Sequence, residues 1–253
     1  MTIWQALLLG LVQGVTEFLP VSSDGHLAIV QIFLELPNDI FFNVLLHLAT
    51  LAAVLIFFWK DILNLRFKQL VWLAVGTIPA GLLGVAAGDW IEASANYLWI
   101  VALGFLVTGV ANLVSQQLLK RDNQLEWPTL PKTILIGIAQ ATALMPGISR
   151  SGTTVATSLA LGMNREAAFR FSFLLLIPAT VGAVGLESFK LLQHSVPAPA
   201  LVPTALGMVM AFGTGLASLR LLQLMIKRAQ LGLFGYYCLV LGSGLLLVSL
   251  LGS

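Results

Sequence analysis

Six runs of about twenty residues that are nearly free of charge leave this chain few folds to choose from. They are Phe41–Trp59, Gln69–Gly88, Tyr97–Leu119, Phe169–Leu186, Leu201–Leu219 and Leu231–Leu251. Roughly 20 helical residues cross a bilayer's hydrocarbon layer, and within it only helices or closed barrels satisfy the backbone. With 58% hydrophobic and 9% charged residues and a mean hydropathy of +0.95, the chain is far from the composition of a soluble domain, where about a quarter of residues are charged. The expected fold is all-α: a polytopic membrane protein with about six transmembrane helices, forming one membrane domain over residues 1–253.

The few charges report topology. Thirteen Lys and Arg stand against eleven Asp and Glu, a net charge of +2, and they give no reason to expect nucleic acid. Lys60, Arg66 and Lys68, then Lys120, Arg121 and Lys132, then Arg220, Lys227 and Arg228 fall between alternate runs and are expected on the cytoplasmic side. The intervening connections carry Asp89 and Glu92, and Glu187 with Lys190 and His194, expected outside together with both termini. Glu35 and Asp39 are expected at an interface, and Val196–Ala200 is a turn-rich outer loop. The Lys120–Lys132 connection, with Pro128 and Pro131, reads as a short loop. The N-terminus lacks the basic start and cleavage site of a signal peptide, and Cys238 reads as a packing residue.

Four apolar pieces are too short to span. Trp4–Leu19 and Leu27–Leu36 flank the polar stretch Glu17–His26, while Thr133–Met145 and Thr153–Met163 flank Pro146–Thr154. Such broken pairs predict re-entrant hairpins, here over approximately 4–36 and 133–163. Gly10, Gln13, Ser22 and Gly25 match Gly137, Gln140, Ser149 and Gly152 at one offset of 127 residues. Each half, approximately 1–126 and 127–253, is thus a broken pair followed by three spans. An odd number of spans turns the second half over, so the repeat is expected to be inverted, with the hairpin tips meeting near the midplane.

The tips carry the chemistry. Arg150 lies in Pro-Gly-Ile-Ser-Arg-Ser-Gly-Thr-Thr (146–154), where a lipid-facing arginine would cost about 2.5–3.5 kcal/mol. Pro146-Gly147 breaks one helix, and Ser149 or Ser151 can cap the next, leaving free amides beside the guanidinium. Amides, hydroxyls and a forked arginine suit a phosphate; the alternative is that Arg150 pairs with Glu17 or Asp24 and locks the hairpins. In the first hairpin Pro20 ends one helix and Ser22-Ser23-Asp24-Gly25 can cap another. His26 is a candidate nucleophile or general acid/base, with Ser23 as the alternative nucleophile. Glu17 can hold a divalent cation or orient water, and Asp24 also reads as an N-cap. His47, with Thr50 one turn along, reads as a helix–helix hydrogen bond. The Gly and Ala residues of 76–88 and 207–215 read as close-packing positions.

Three motifs carry a resemblance over nearly the whole chain: Gly10–Leu27 with its Thr-Glu-Phe-Leu-Pro-Val-Ser-Ser-x-Gly-His core, residues 146–154, and Phe171-Ser-Phe-Leu-Leu-Leu-Ile-Pro178. In motif order and spacing the chain resembles the bacterial undecaprenyl pyrophosphate phosphatase family of the bacitracin-resistance type. The resemblance implies an inner-membrane enzyme that removes the terminal phosphate of undecaprenyl pyrophosphate and recycles the carrier for peptidoglycan synthesis. It further implies a site open to the periplasmic side and a divalent cation, Mg or Ca. By position it makes Glu17, Ser23, His26 and Arg150 catalytic, and Ser149, Arg150, Ser151 and Thr154 phosphate-binding, with Ser22 and Gln13 beside them. Where the family commonly has Glu-x-x-x-Glu, this chain has Gln13-Gly-Val-Thr-Glu17, so one carboxylate is an amide. Asp24 stands where a small hydroxyl residue is usual, and with Glu17 is the candidate metal ligand pair. The expected partners are the polyprenyl pyrophosphate, the bilayer and a second copy in a homodimer. A flippase or transporter for a phosphorylated polyprenyl lipid is the competing function, because broken helices in an inverted repeat also serve alternating access.

Overall fold

A computed structural model describes residues 1–36, 40–121, 123–194 and 200–251, without the side chains of residues 40 and 191–194. Asp39, the His194 side chain and residues 196–199 of the expected outer loop lie outside the described residues. The chain forms α1 (Ile3–Phe18), α2 (Ser23–Phe33), α3 (Ile40–Phe57), α4 (Trp59–Leu63), α5 (Phe67–Ser94), α6 (Leu98–Leu118), α7 (Leu130–Thr142), α8 (Arg150–Ala160), α9 (Arg165–His194), α10 (Leu201–Lys227) and α11 (Gly232–Leu251). Among the described residues five helices, α5, α6, α9, α10 and α11, are long and apolar enough to cross a membrane. The sixth expected span is α3; its 18 residues reach about 27 Å, near the hydrocarbon thickness.

Both hairpins form from local signals. Thr2 caps α1 in a capping box with Gln5, its Oγ1 accepting the Gln5 N–H at 3.3 Å while Gln5 Oε1 accepts the Thr2 N–H at 2.8 Å. The helix stops at Leu19, held extended by the following Pro20. After two residues Ser22 caps α2, its Oγ accepting from the Gly25 N–H at 3.3 Å. In the second hairpin α7 starts at Leu130, earlier than the apolar run, because Pro131 sits in its first turn, where no backbone N–H is required. At 16 and 13 residues, α1 and α7 are about 24 and 20 Å long, and their partners are shorter still. Neither hairpin arm crosses alone.

The long helices wrap the hairpins in a repeating arrangement. α1 packs on α10 and α7 on α5, α3 on α10 and α9 on α5, while α6 and α11 pack on each other. Exchanging α1 with α7, α3 with α9, α5 with α10 and α6 with α11 leaves these five packings unchanged, while α4 has no counterpart and α6, unlike α11, also packs on α2 and α8. The closest approaches repeat as well. A Cβ on Gly10 would run into the Gly207 carbonyl, and one on Gly137 into that of Gly76. These contacts explain why helices can approach backbone to backbone here.

The charged residues gather at the two ends of α9. Near its start, Arg170 pairs with Asp61 at 3.7 Å and Glu166 with Lys227 at 3.2 Å, and Lys132 donates to the Leu161 carbonyl at 2.7 Å. Near its end, Lys190 lies 3.2, 3.4 and 2.9 Å from Asp89, Glu92 and Glu187. Cys238 is buried, with Sγ 3.9 Å from the Pro20 carbonyl oxygen.

Overfilling one of the glycine contacts should loosen the fold without touching the tips. Gly137→Val is expected to cost about 1–3 kcal/mol, read as a lower thermal midpoint in detergent; an unchanged midpoint would contradict the backbone contact.

Candidate active site

The site is assembled around Glu17, which sits on the last turn of α1 and is buried. One turn earlier, Gln13 donates from Nε2 to Glu17 Oε2 at 3.1 Å. Across the break, Ser23 Oγ donates to the same oxygen at 2.6 Å. The other oxygen, Oε1, takes the guanidinium of Arg150 from the second hairpin in an ion pair. One carboxylate thus ties α1, α2 and α8 together. A buried charge held this way stabilises less than its geometry suggests, but removing one partner strands the other.

Arg150 is where it is because Ser149 caps α8: Ser149 Oγ accepts the Gly152 N–H at 3.1 Å and lies 3.2 Å from Ser151 Oγ. The preceding turn needs Gly147, whose φ of +87° is strained for any residue with a side chain. Ser151 Oγ donates to the Leu19 carbonyl at 3.3 Å, reaching across to the first hairpin. Thr154 Oγ1 lies 2.5 Å from Ser172 Oγ of the Phe171-Ser-Phe motif, so its hydroxyl supports α8 from behind. Ser22, the α2 cap, holds φ at +69°, an uncommon value for serine.

Other predicted residues are placed differently. Asp24 is not the cap of α2, a role taken by Ser22; it is the exposed member of the group, 59% accessible at its side chain, with Oδ1 3.6 Å from His47 Nε2. His47 is 3.8 Å from Glu17 Oε2 through the same nitrogen, and its Nδ1 lies 2.8 Å from the Asn43 carbonyl. It therefore belongs to the site, linking α3 to α1 and α2 there. His26 does not join Glu17: its ring nitrogens are engaged by Ser22 and Tyr237. The sequence did not mark the polar residues of α6, which pin both tips from one face. Asn112 donates to the Pro20 carbonyl at 2.5 Å. One turn away, Thr108 accepts the Ser149 N–H and donates to the Gly147 carbonyl, both at 2.8 Å. Each is a lone polar residue in an apolar run, at a spacing that only their i, i+4 relation could have flagged.

The donor set does not fit a protein-held divalent cation. Among the described residues no group of three His, Cys, Asp or Glu could hold a metal ion. Glu17 and Asp24 do not supply the six or so oxygens that Mg or Ca takes. Glu17 is already engaged by a guanidinium, an amide and a hydroxyl, all donating to it. Gln13 turns its amide nitrogen toward Glu17, and its Oε1 is buried without a protein partner.

Fold and centre together define a polytopic helical membrane protein whose short hairpins build a buried carboxylate–guanidinium centre lined with hydroxyls. The chain belongs to the bacitracin resistance protein BacA family, whose model matches residues 6–244. It is similar to proteins named undecaprenyl-diphosphatase: 38% identical to that of Methanosphaera stadtmanae over 95% of both chains, and 39% identical to that of Syntrophotalea carbinolica over 96% of this chain and 97% of the relative. The one from Korarchaeum cryptofilum is 36% identical over 97% and 99% of the two chains.

The ion pair makes a prediction about stability. Glu17→Ala or Arg150→Ala alone should cost about 3–5 kcal/mol by leaving a buried charge unpaired, and the double variant should cost less than the sum. Strictly additive losses in thermal unfolding would mean that the two groups do not support each other.

Proposed function

We propose that this chain is an undecaprenyl-diphosphate phosphatase: an integral membrane hydrolase that removes the terminal phosphate of undecaprenyl pyrophosphate and returns the monophosphate carrier for peptidoglycan synthesis. The observation that carries the reading is the Ser23–Glu17–Arg150 arrangement, a hydroxyl donating at 2.6 Å to a carboxylate whose other oxygen holds a guanidinium. It supplies a nucleophile, its base and an anion-binding group within one contact network.

In this mechanism the terminal phosphate takes over the Arg150 guanidinium, aided by Ser149, Ser151 and the helix N-termini of α2 and α8. Ser23 Oγ attacks the terminal phosphorus as its proton passes to Glu17 Oε2. The bond from phosphorus to the bridging oxygen breaks, and the polyprenyl phosphate leaves. Water then attacks the phosphoserine: the bond from phosphorus to Oγ breaks, Glu17 returns its proton to Ser23, and His26 takes the water's proton and passes it to solvent. His47 sits between Glu17 and the exposed Asp24, where its imidazole orients Glu17 and meets the incoming diphosphate.

The reading includes the inverted repeat, with halves 1–126 and 127–253. The exchange symmetry of helix partners and the paired glycine contacts support it. It places the enzyme in the bacterial inner membrane with the site open to the periplasmic side, an orientation supported by the two separate charge groups along α9. A homodimer is carried with it, to be checked by the mass of the solubilised protein. The divalent cation, Mg or Ca, enters as a companion of the substrate's diphosphate, since the protein does not cage one.

Purified protein should release inorganic phosphate from polyprenyl diphosphate in detergent. No release, with lipid transfer across liposomes instead, would favour a transporter. Gln13→Glu should lower the cation concentration that supports half-maximal release, by about tenfold or less, because it adds a carboxylate beside Glu17; an unchanged requirement would remove Gln13 from the cation's surroundings.

A further inference from the structure

His26 is held more closely than a residue that only packs. It stands on the first turn of α2, with Nδ1 2.7 Å from the Ser22 carbonyl oxygen and Nε2 2.7 Å from the Tyr237 hydroxyl on α11. Its ring lies parallel to that of Tyr237, 7° apart with centroids at 5.7 Å, and meets the Phe105 ring edge-on at 5.0 Å and 86°. The backbone beneath is equally constrained, because a Cβ on Gly25 would sit 2.8 Å from Phe105 and 2.9 Å from Gly147. Tyr237 is 47% exposed, so it forms the accessible side of this sandwich.

The chemistry of the two partners assigns the protons. A backbone carbonyl only accepts, so Nδ1 carries hydrogen. In a neutral imidazole Nε2 is then bare, and the Tyr237 O–H donates to it. We propose that Tyr237 is a positioning residue for His26: the Ser22 carbonyl sets the Nδ1–H tautomer, and the tyrosine hydroxyl, donating to the bare Nε2, holds that nitrogen and its ring in place. A water attacking the phosphoserine presents the same kind of O–H and takes the hydroxyl's place on Nε2, whose single lone pair accepts one donor at a time. This role rests on the phosphatase reading; the hydrogen bond itself does not. Neither residue's neighbourhood in sequence suggests the contact, since 211 positions separate them.

Tyr237→Phe tests it, because the stacked ring stays and only the hydroxyl goes. The chain has three histidines, so selective 15N-histidine labelling with His26→Ala for assignment reports the tautomer directly. Wild-type protein should show His26 with hydrogen on Nδ1 and a bare, hydrogen-bonded Nε2, and Tyr237→Phe should keep that tautomer while the Nε2 resonance shifts as its donor is lost. For phosphate release, kcat should fall about tenfold with KM within about twofold, while Tyr236→Phe behaves as wild type. An Nε2–H tautomer in the wild type, or an unchanged Nε2 resonance in Tyr237→Phe whatever its activity, would overturn the proposal. Wild-type protein that releases no phosphate, with the Nε2 shift still seen in Tyr237→Phe, would overturn the phosphatase reading and leave the positioning bond standing.

Discussion

A single carboxylate, Glu17, holds the molecule's two hairpins to one point. Its oxygens receive Ser23 and Gln13 from its own hairpin and Arg150 from the other. Arg150 inside an apolar protein is tolerable only because this acceptor is waiting. Much of the surrounding architecture serves that meeting. The hairpin helices are too short to cross, so they end where the tips must face each other. Ser22 and Ser149 cap the returning helices and free neighbouring groups to point inward. From α6, Asn112 and Thr108 fasten both turns to one rigid surface.

The same interaction explains how two readings of Arg150 fit together. Without an anion, the guanidinium neutralises Glu17, as an internal lock would. In the proposed mechanism a phosphate offers the arginine a second acceptor and leaves Glu17 free to take the Ser23 proton, so the pair is the resting state of that centre.

Much of this was legible in the chain itself. Apolar run lengths gave the helices, Pro20 and Pro146-Gly147 gave the breaks, and the polar residues at those breaks gave Glu17, Ser23, Arg150 and the caps. What escaped has one physical cause. His47, Asn112, Thr108 and Tyr237 each sit within an apolar helix and acquire their place at the site only from tertiary contacts, the i, i+4 spacing of Thr108 and Asn112 being the one local hint. His26 shows the reverse: three positions after Ser23 it lies only about 60° round α2, yet its ring nitrogens go to Ser22 and to Tyr237 of α11, and its ring to Phe105 of α6, not to Glu17. The sixth expected run forms α3, an apolar helix shorter than the five that are long enough to cross.

Whether Ser23 from one hairpin and Arg150 from the other act on the same phosphoryl group is best measured by a double-mutant cycle on kcat/KM for phosphate release. Residues that work as a unit are strongly non-additive. Ser23→Ala and Arg150→Ala should each lower kcat/KM by about a thousandfold or more, with the double variant no slower than the slower single one. Losses that multiply in the double variant would contradict a single centre built from both halves.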